Sequence, residues 1–396
     1  MCMIGFDEAV ALLAENVLPL GTEQVDLADA AGRVLAEPIH AFIASPRRTV
    51  SAMDGYALRN SDAAVGARFR IIGESFAGGP PPPALSAGEC VRIFTGAALP
   101  VGSDRVVMQE NCTSDGNEMT IAAEFGPGWH VRQVASDFAE GDLLLPTGTL
   151  LEAGAMITLA AADRATTQVY KRPRVAIVAT GDELVPPGSA RDNPLKIPES
   201  VSFGVAALAQ QCGASIEARL SGADDLTTLR HLAGRALSLA NVVVVTGGAS
   251  VGERDYAKAM FADQDLEPLF TKVAIKPGKP VWIGRSQGRW VVGLPGNPTS
   301  ALVTARLFLA PLLGLLQGRS MDALLDWTEL PFAATFPASN DRTTFARAIL
   351  SRSGLVPLGN QDSGAQAPLS QAKWLVRCDP SRDQIIIGQN APALAF

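Results

Sequence analysis

The sequence predicts a multidomain α/β and β protein: a central three-layer α/β/α domain with a mostly parallel sheet, an inserted small β domain, a helical or linker domain and a C-terminal β domain. Three observations predict it. Four consecutive valines, 242–245, bounded by Asn241 and a Thr246-Gly247-Gly248 break, read as a strand buried on both faces, as in the middle of a parallel sheet. From residue 174 to about 318, strand-like and helix-like stretches alternate in the βαβ rhythm. Between 43 and 134, short β-like runs at 69–72, 91–94, 105–108, 119–122 and 130–132 are separated by Gly/Pro turns, which suits a small β domain.

Taken in order, residues 6–17 carry Phe6, Ala9, Val10, Leu13 and Val17 at helical spacing, and a second short helix is expected over 27–35, ending before Pro38. Gly78-Gly79 and Pro80 to Pro83 form a stiff loop inside the β region. Residues 141–169 return to a helical pattern, so the β module reads as an insertion in a domain built from both sides of it. Arg172-Pro173 marks the next boundary. Beyond it come a strand to Thr180, a helix over 201–212, a strand over 215–220, a helix over 226–239 and the strand ending at Thr246; 255–261 looks helical. The last part is β-like, with 342–350 and 384–387 as its clearest strands. The expected domains are 1–42 plus 135–171, 43–134, 172–319 and 320–396.

Composition bounds the function. Hydrophobic residues at 47% and charged residues at 18% describe a soluble globular chain, and no apolar run approaches a membrane span. No basic-then-apolar leader opens the sequence, and five scattered cysteines without Cys-x-x-Cys spacing suit a reducing cytoplasm. Three separated histidines argue against a histidine metal site, and a net charge of −7 argues against non-specific nucleic-acid binding.

Chemistry is expected where strands end. Thr180-Gly181-Asp182-Glu183, Thr246-Gly247-Gly248 and Leu294-Pro295-Gly296-Asn297-Pro298 follow three apolar strands, and ligands of open α/β sheets bind at such carboxyl ends. The glycines match neither the dinucleotide fingerprint nor a Walker loop. Asp182, Glu183, Asp224 and Asp255 adjoin these ends; they suit a Mg²⁺–phosphate site, or they cap helices, as Asp224 or Asp225 before Leu226 would. Lys272 and Lys276, four apart in a β run, would share a face as an oxyanion clamp with Lys279 beyond Pro277-Gly278; the alternative is a solvated edge strand. Asp54 and Thr95 sit on tight glycine turns of the β module. So few histidines allow no Ser/His/Asp or Cys/His set.

The segments Ser-Ala-Met-Asp-Gly-Tyr-Ala (51–57), Phe-Thr-Gly-Ala (94–97), Val-Val-Met-Gln-Glu (106–110), Thr-Gly-Asp-Glu-Leu (180–184), Thr-Gly-Gly-Ala-Ser-Val-Gly-Glu-Arg-Asp-Tyr (246–256), Lys-Val-Ala-Ile-Lys-Pro-Gly-Lys-Pro (272–280) and Gly-Leu-Pro-Gly-Asn-Pro (293–298) resemble, in order, the signature segments of the MoeA/gephyrin E-domain family of molybdopterin molybdenumtransferases. The likeness runs over nearly the whole chain, and the tail looks like the family's small C-terminal β domain. It implies a MogA-like central domain in a cytoplasmic homodimer, with the site between the α/β domain of one subunit and the β module of the other. It implies that adenylylated molybdopterin is bound, molybdate is inserted into the dithiolene and the pyrophosphate link is cleaved with Mg²⁺, releasing AMP. On that resemblance Glu183, Asp224 and Asp255 serve the metal and substrate, with Glu183 and Asp255 as metal ligands. Lys272 and Lys276 hold molybdate or phosphate oxygens, Pro295 and Pro298 shape the pocket, and Asp54, Thr95 and Asp137 come across the dimer. Thr180, Gly247, Gly248, Ser250 and Lys279 complete the expected substrate-binding set. Molybdopterin adenylyltransferase and recipient molybdoenzymes are the implied partners. The chain departs from the family's usual segments at Arg48-Thr49-Val50-Ser51, Ala135-Ser136 and Glu199-Ser200-Val201; the alternative is a non-catalytic molybdopterin-binding paralogue or scaffold.

Overall fold

The computed structural model describes residues 3–247, 256–339 and 341–396. At its centre six strands lie in the order Ser215–Gly222, Arg174–Thr180, Val242–Thr246, Arg289–Leu294, Trp282–Ser286, Glu267–Phe270. The first four are mutually parallel, and Trp282–Ser286 runs antiparallel to both its neighbours, Arg289–Leu294 and Glu267–Phe270. Val175, Ile177, Val242 and Val244 point into one core with the helices Val201–Gln211 and Pro298–Thr304. Ala176, Val178, Val243 and Val245 point into another with Leu226–Leu239. Period-two alternation thus puts an apolar side chain on both faces, which is why these strands read as unbroken apolar runs.

The register decides where the turns fall. Ala179 pairs with Thr246, Thr180 with Gly222, and Thr246 with Leu294. The strands therefore finish within about a residue of one another, and the three glycine-bearing turns emerge side by side.

The helix opening at Pro298 has Asn297 at its cap and continues through a π-turn, Ala305–Leu309, to Leu315. It has the length and apolar composition of a membrane span, which the sequence reading did not find, but 83% of it is buried inside the fold as core. Phe6–Asn16 is the helix expected near the start, and its Phe6, Ala9 and Leu13 join the same core. Phe6 meets Phe345 of the C-terminal region edge-on at 4.9 Å.

The expected helix over 27–35 is a single turn, Leu27–Asp29. Gly32 turns the chain at φ +70, after which Val34 and Leu35 bridge to Leu150 and Val169. Over 141–169 only Ala153–Ala161 is helical; Leu143–Leu145 pairs with Ile39–His40, and Thr166–Tyr170 with Thr22–Asp26. These pairings bring the two flanks of the β module together. The module itself is a six-stranded sheet spanning Gly55–Leu58 to Glu118–Ile121, with strands where the sequence placed them at 69–72, 91–94, 105–108 and 119–122.

In the C-terminal region Thr343–Ser351, Trp374–Cys378 and Asn390–Ala395 form the sheet centre. The strand expected at 384–387 is absent. Ile385 makes one bridge to Phe336, the chain turns at Gly388 with φ +87, and Ile386 and Ile387 are left exposed. Ile275–Lys276 adds to this sheet parallel to Thr343–Thr344, stitching the lysine segment of the central domain to the C-terminal one.

Candidate functional site

The carboxyl ends of the parallel strands open into a cleft of about 1030 Å³. One side is the strand-end turns: Thr180, Glu183, Asp224 and Gly247. The lysine turn supplies Lys276, Pro277 and Lys279, and the helix opening supplies Pro295, Asn297 and Pro298. The C-terminal region adds Phe336, Ser339, Arg342, Gln361, Asp362 and Ser363.

Each side chain is set by local chemistry. Asp182 accepts the Asp224 N–H at 3.0 Å, and its carbonyl accepts Lys196 Nζ at 2.5 Å, tying two strand ends together. The sequence left open which acid caps the next helix. Asp225 does so: its carboxylate accepts the Thr228 N–H at 2.8 Å, and hydrogen bonding from Thr228 holds its carboxyl below the usual range. Asp224 is thereby left on the cleft wall. Glu199 accepts the Ser202 N–H at 2.7 Å and the Ser202 hydroxyl at 2.5 Å, so it is spent on the start of the Val201–Gln211 helix.

Thr180 is 4% exposed, and its hydroxyl has no hydrogen-bond partner among the described residues. Gly247, at φ +92, runs so close that a Cβ there would stand 2.4 Å from the Thr180 carbonyl oxygen. Only glycine fits. Lys276 and Lys279 are exposed in the cleft.

The chain matches the family description "MoeA N-terminal region (domain I and II)" over residues 4–162 and "Probable molybdopterin binding domain" over residues 176–314. It is 39% identical over 310 residues to a molybdopterin molybdenumtransferase of Nostoc sp., covering 75% of this chain and 70% of that one. With the molybdopterin molybdenumtransferase of Haemophilus influenzae it shares 33% identity over 347 residues, 87% of this chain and 84% of the other. This chain belongs to the molybdopterin molybdenumtransferase family. Among solved structures, a molybdopterin biosynthesis moeA protein from Pyrococcus horikosii superposes with a TM-score of 0.78 at 28% identity, covering 100% of this chain and 99% of that one. A second, from Pyrococcus horikoshii OT3, gives 0.84 at 22% identity with full coverage of both and bears on the fold alone.

Within this molybdopterin molybdenumtransferase-family fold, the expected site residues separate into groups. Glu183, Asp224, Lys276, Lys279, Thr180, Gly247, Pro295 and Pro298 come together in the cleft. Gly248, Ser250 and Asp255 lie outside the described residues. Lys272 is not on the cleft lining: the β run expected to carry it forms only at Ile275–Lys276, Val273 bridges to Ile4, and the Lys272 carbonyl accepts the Ile4 N–H at 3.2 Å. Asp54 and Thr95 meet one another in the β module, where Asp54 Oδ1 accepts the Thr95 N–H at 2.7 Å and hydroxyl at 2.8 Å. Asp137 is exposed, its N–H on the Ser45 carbonyl at 3.0 Å. None of these three lines the cleft.

Sequence reasoning did not assign Arg342 or the Gln361-Asp362-Ser363 turn to the site. Their signal was present as polar Asp-Arg-Thr and Gln-Asp-Ser-Gly steps in an otherwise β-like tail. For a metal, the donors in the cleft are carboxylate and hydroxyl oxygens, the set a hard divalent cation takes. No cluster of three His, Cys, Asp or Glu among the described residues could hold an ion by itself. That donor set fits magnesium shared with a substrate's phosphates.

Proposed function

We propose that the chain is the molybdenum insertase of cofactor biosynthesis: it binds adenylylated molybdopterin, inserts molybdate into the dithiolene and releases AMP. The observation that carries this reading is the joining, in one cleft of about 1030 Å³, of acids at parallel strand ends with Lys276, Lys279 and Arg342. That is at the top of the roughly 300–1,000 Å³ range of small-molecule pockets, which leaves room for a nucleotide-linked substrate.

In this reading Lys276, Lys279 and Arg342 bind the oxygens of molybdate and phosphate, Arg342 through a planar fork whose geometry matches an oxyanion. The turns at Gly181 and Gly247 let backbone N–H groups approach the phosphates, and the Thr180 hydroxyl, without a partner among the described residues, offers a further hydrogen bond at the base of the cleft. Glu183, with Asp255, would hold magnesium, which when bound neutralises charge on the pyrophosphate link. Asp224 orients the substrate from the adjoining strand end. Acceleration then comes from positioning and fixed charge, with no covalent intermediate on the protein.

Asp54, Thr95 and Asp137 enter this reading from a second copy of the chain, since they do not line the cleft of their own. The test of function is to mix the protein with adenylylated molybdopterin, molybdate and Mg²⁺ and to follow AMP and active cofactor. Molybdate-dependent AMP release is the expected result; tight binding without release would make the protein a carrier or scaffold.

A further inference from the structure

Behind the C-terminal wall of the cleft lies a guanidinium that is hydrogen-bonded to a hydroxyl and a carbonyl. Arg347 is 1% exposed. Its Nη1 donates to Thr299 Oγ1 at 3.1 Å and its Nη2 to the Asp362 carbonyl at 3.2 Å. The Gln361 side chain clasps its backbone, accepting the Arg347 N–H at 3.0 Å and donating to the Arg347 carbonyl at 2.9 Å. Thr299 is fully buried; its hydroxyl donates to the Ala365 carbonyl at 2.6 Å and its N–H to the Ser363 carbonyl at 3.1 Å. Asn297 Nδ2 reaches Ser363 Oγ at 3.2 Å.

These bonds join two elements far apart in sequence: the opening turn of the Pro298 helix and the 361–365 turn. Both line the cleft. Burying a cation is costly unless its hydrogen bonds are met, and an apolar side chain of similar size would fill the space without that cost. What the planar fork adds is a fixed spacing between two acceptors on different elements.

We propose that Arg347 is a positioning residue: through Thr299 and the Asp362 carbonyl it sets the distance between the helix opening and the 361–365 turn, and so shapes the pocket that receives the oxyanion. The proposal rests on reading the cleft as the oxyanion site. Arg347→Lys can reach one acceptor but not span both, and Thr299→Val removes the hydroxyl that the guanidinium bonds.

The test compares wild type, R347K, T299V and the double variant by amide hydrogen exchange and by calorimetric titration with molybdate. Exchange over residues 358–366 should quicken in each single variant without ligand. Molybdate affinity should fall about tenfold in each, as expected for losing a charge-assisted buried hydrogen bond. The double variant should be no weaker than the worse single one, because both changes break one linkage. Unchanged exchange in this segment would overturn the proposal, as would losses that simply add, or a loosened segment with wild-type molybdate affinity. If R347K fails to fold, Arg347→Gln, which can meet at most one of the two acceptors and leaves the Thr299–Ala365 bond in place, carries the same test. Wild type that binds no molybdate, with 358–366 still quickened in both variants, would sink the oxyanion reading and leave the Arg347 linkage standing.

Discussion

Glu183 and Thr180 show what a strand end supplies residue by residue. Glu183 is exposed on the turn, so Glu183→Gln should leave the thermal midpoint unchanged while AMP release falls about a hundredfold or more, the scale of losing a group that acts only in the transition state. Retained release would remove Glu183 from the reaction. In the β module, hydrogen bonds from the Thr95 N–H, then from its hydroxyl, hold the Asp54 carboxyl below its ordinary value of 3.8. The sign follows: a carboxyl depressed by folding adds stability that is complete above its unfolded value and is lost as pH falls through the lower folded one. Asp54 is therefore a carboxylate at any neutral pH. Thr95→Val should move its titration up toward the ordinary value, which carboxyl carbon NMR reads directly; an unmoved titration would contradict the assigned cause.

The elements of the central sheet are held by register and by glycine. Gly247 occupies φ +92 against the Thr180 carbonyl, so Gly247→Ala should destabilise the protein by about 2 kcal/mol or more through backbone strain and should distort the cleft. Gly293, in the strand beside it, faces the indole of fully buried Trp282, and a Cβ there would come within 1.9 Å of Nε1. Gly293→Ala should thus lower the denaturation midpoint without touching the cleft lining. Equal midpoints for either variant and wild type would show that the sheet yields more readily than these contacts allow.

Such elements were legible because runs of Val and Ile buried on both faces and ending in Thr-Gly have few alternative readings. The misread ones share a cause: local pattern was overridden by partners distant in sequence. Leu27–Leu35 has an apolar count that suits a helix, but Gly32 turns it and Val34 and Leu35 find bridges more than a hundred residues away. Ile385 to Ile387 has strand propensity without a ladder to join. Lys272 was placed by spacing in a strand that forms only from Ile275.

At the scale of the whole molecule, two regions, the central α/β domain and the C-terminal one, meet at one cleft, and the part the sequence did not assign is the wall made by the C-terminal one. That wall is built from polar loops whose partners lie 66 residues away, as in the Asn297–Ser363 and Thr299–Ala365 bonds, so no window of local periodicity contains the signal. The proposed homodimer makes a prediction at this scale. Glu183→Gln and Asp54→Ala protomers, each inactive alone, should regain about a quarter of wild-type AMP release when mixed and reassembled in equal amounts, since statistical pairing makes half the dimers mixed, each with one intact site. No recovery, with mixed dimers present by mass, would place Asp54 outside the partner's cleft.

The central claim is that acids at the ends of parallel strands and cations from the lysine turn and C-terminal region surround a single polyanion. Titrating adenylylated molybdopterin into wild type and into a Lys276→Met, Arg342→Met double variant tests it most directly. The account predicts binding weakened by about a hundredfold or more, since two charge-assisted contacts are lost; equal affinity would contradict it.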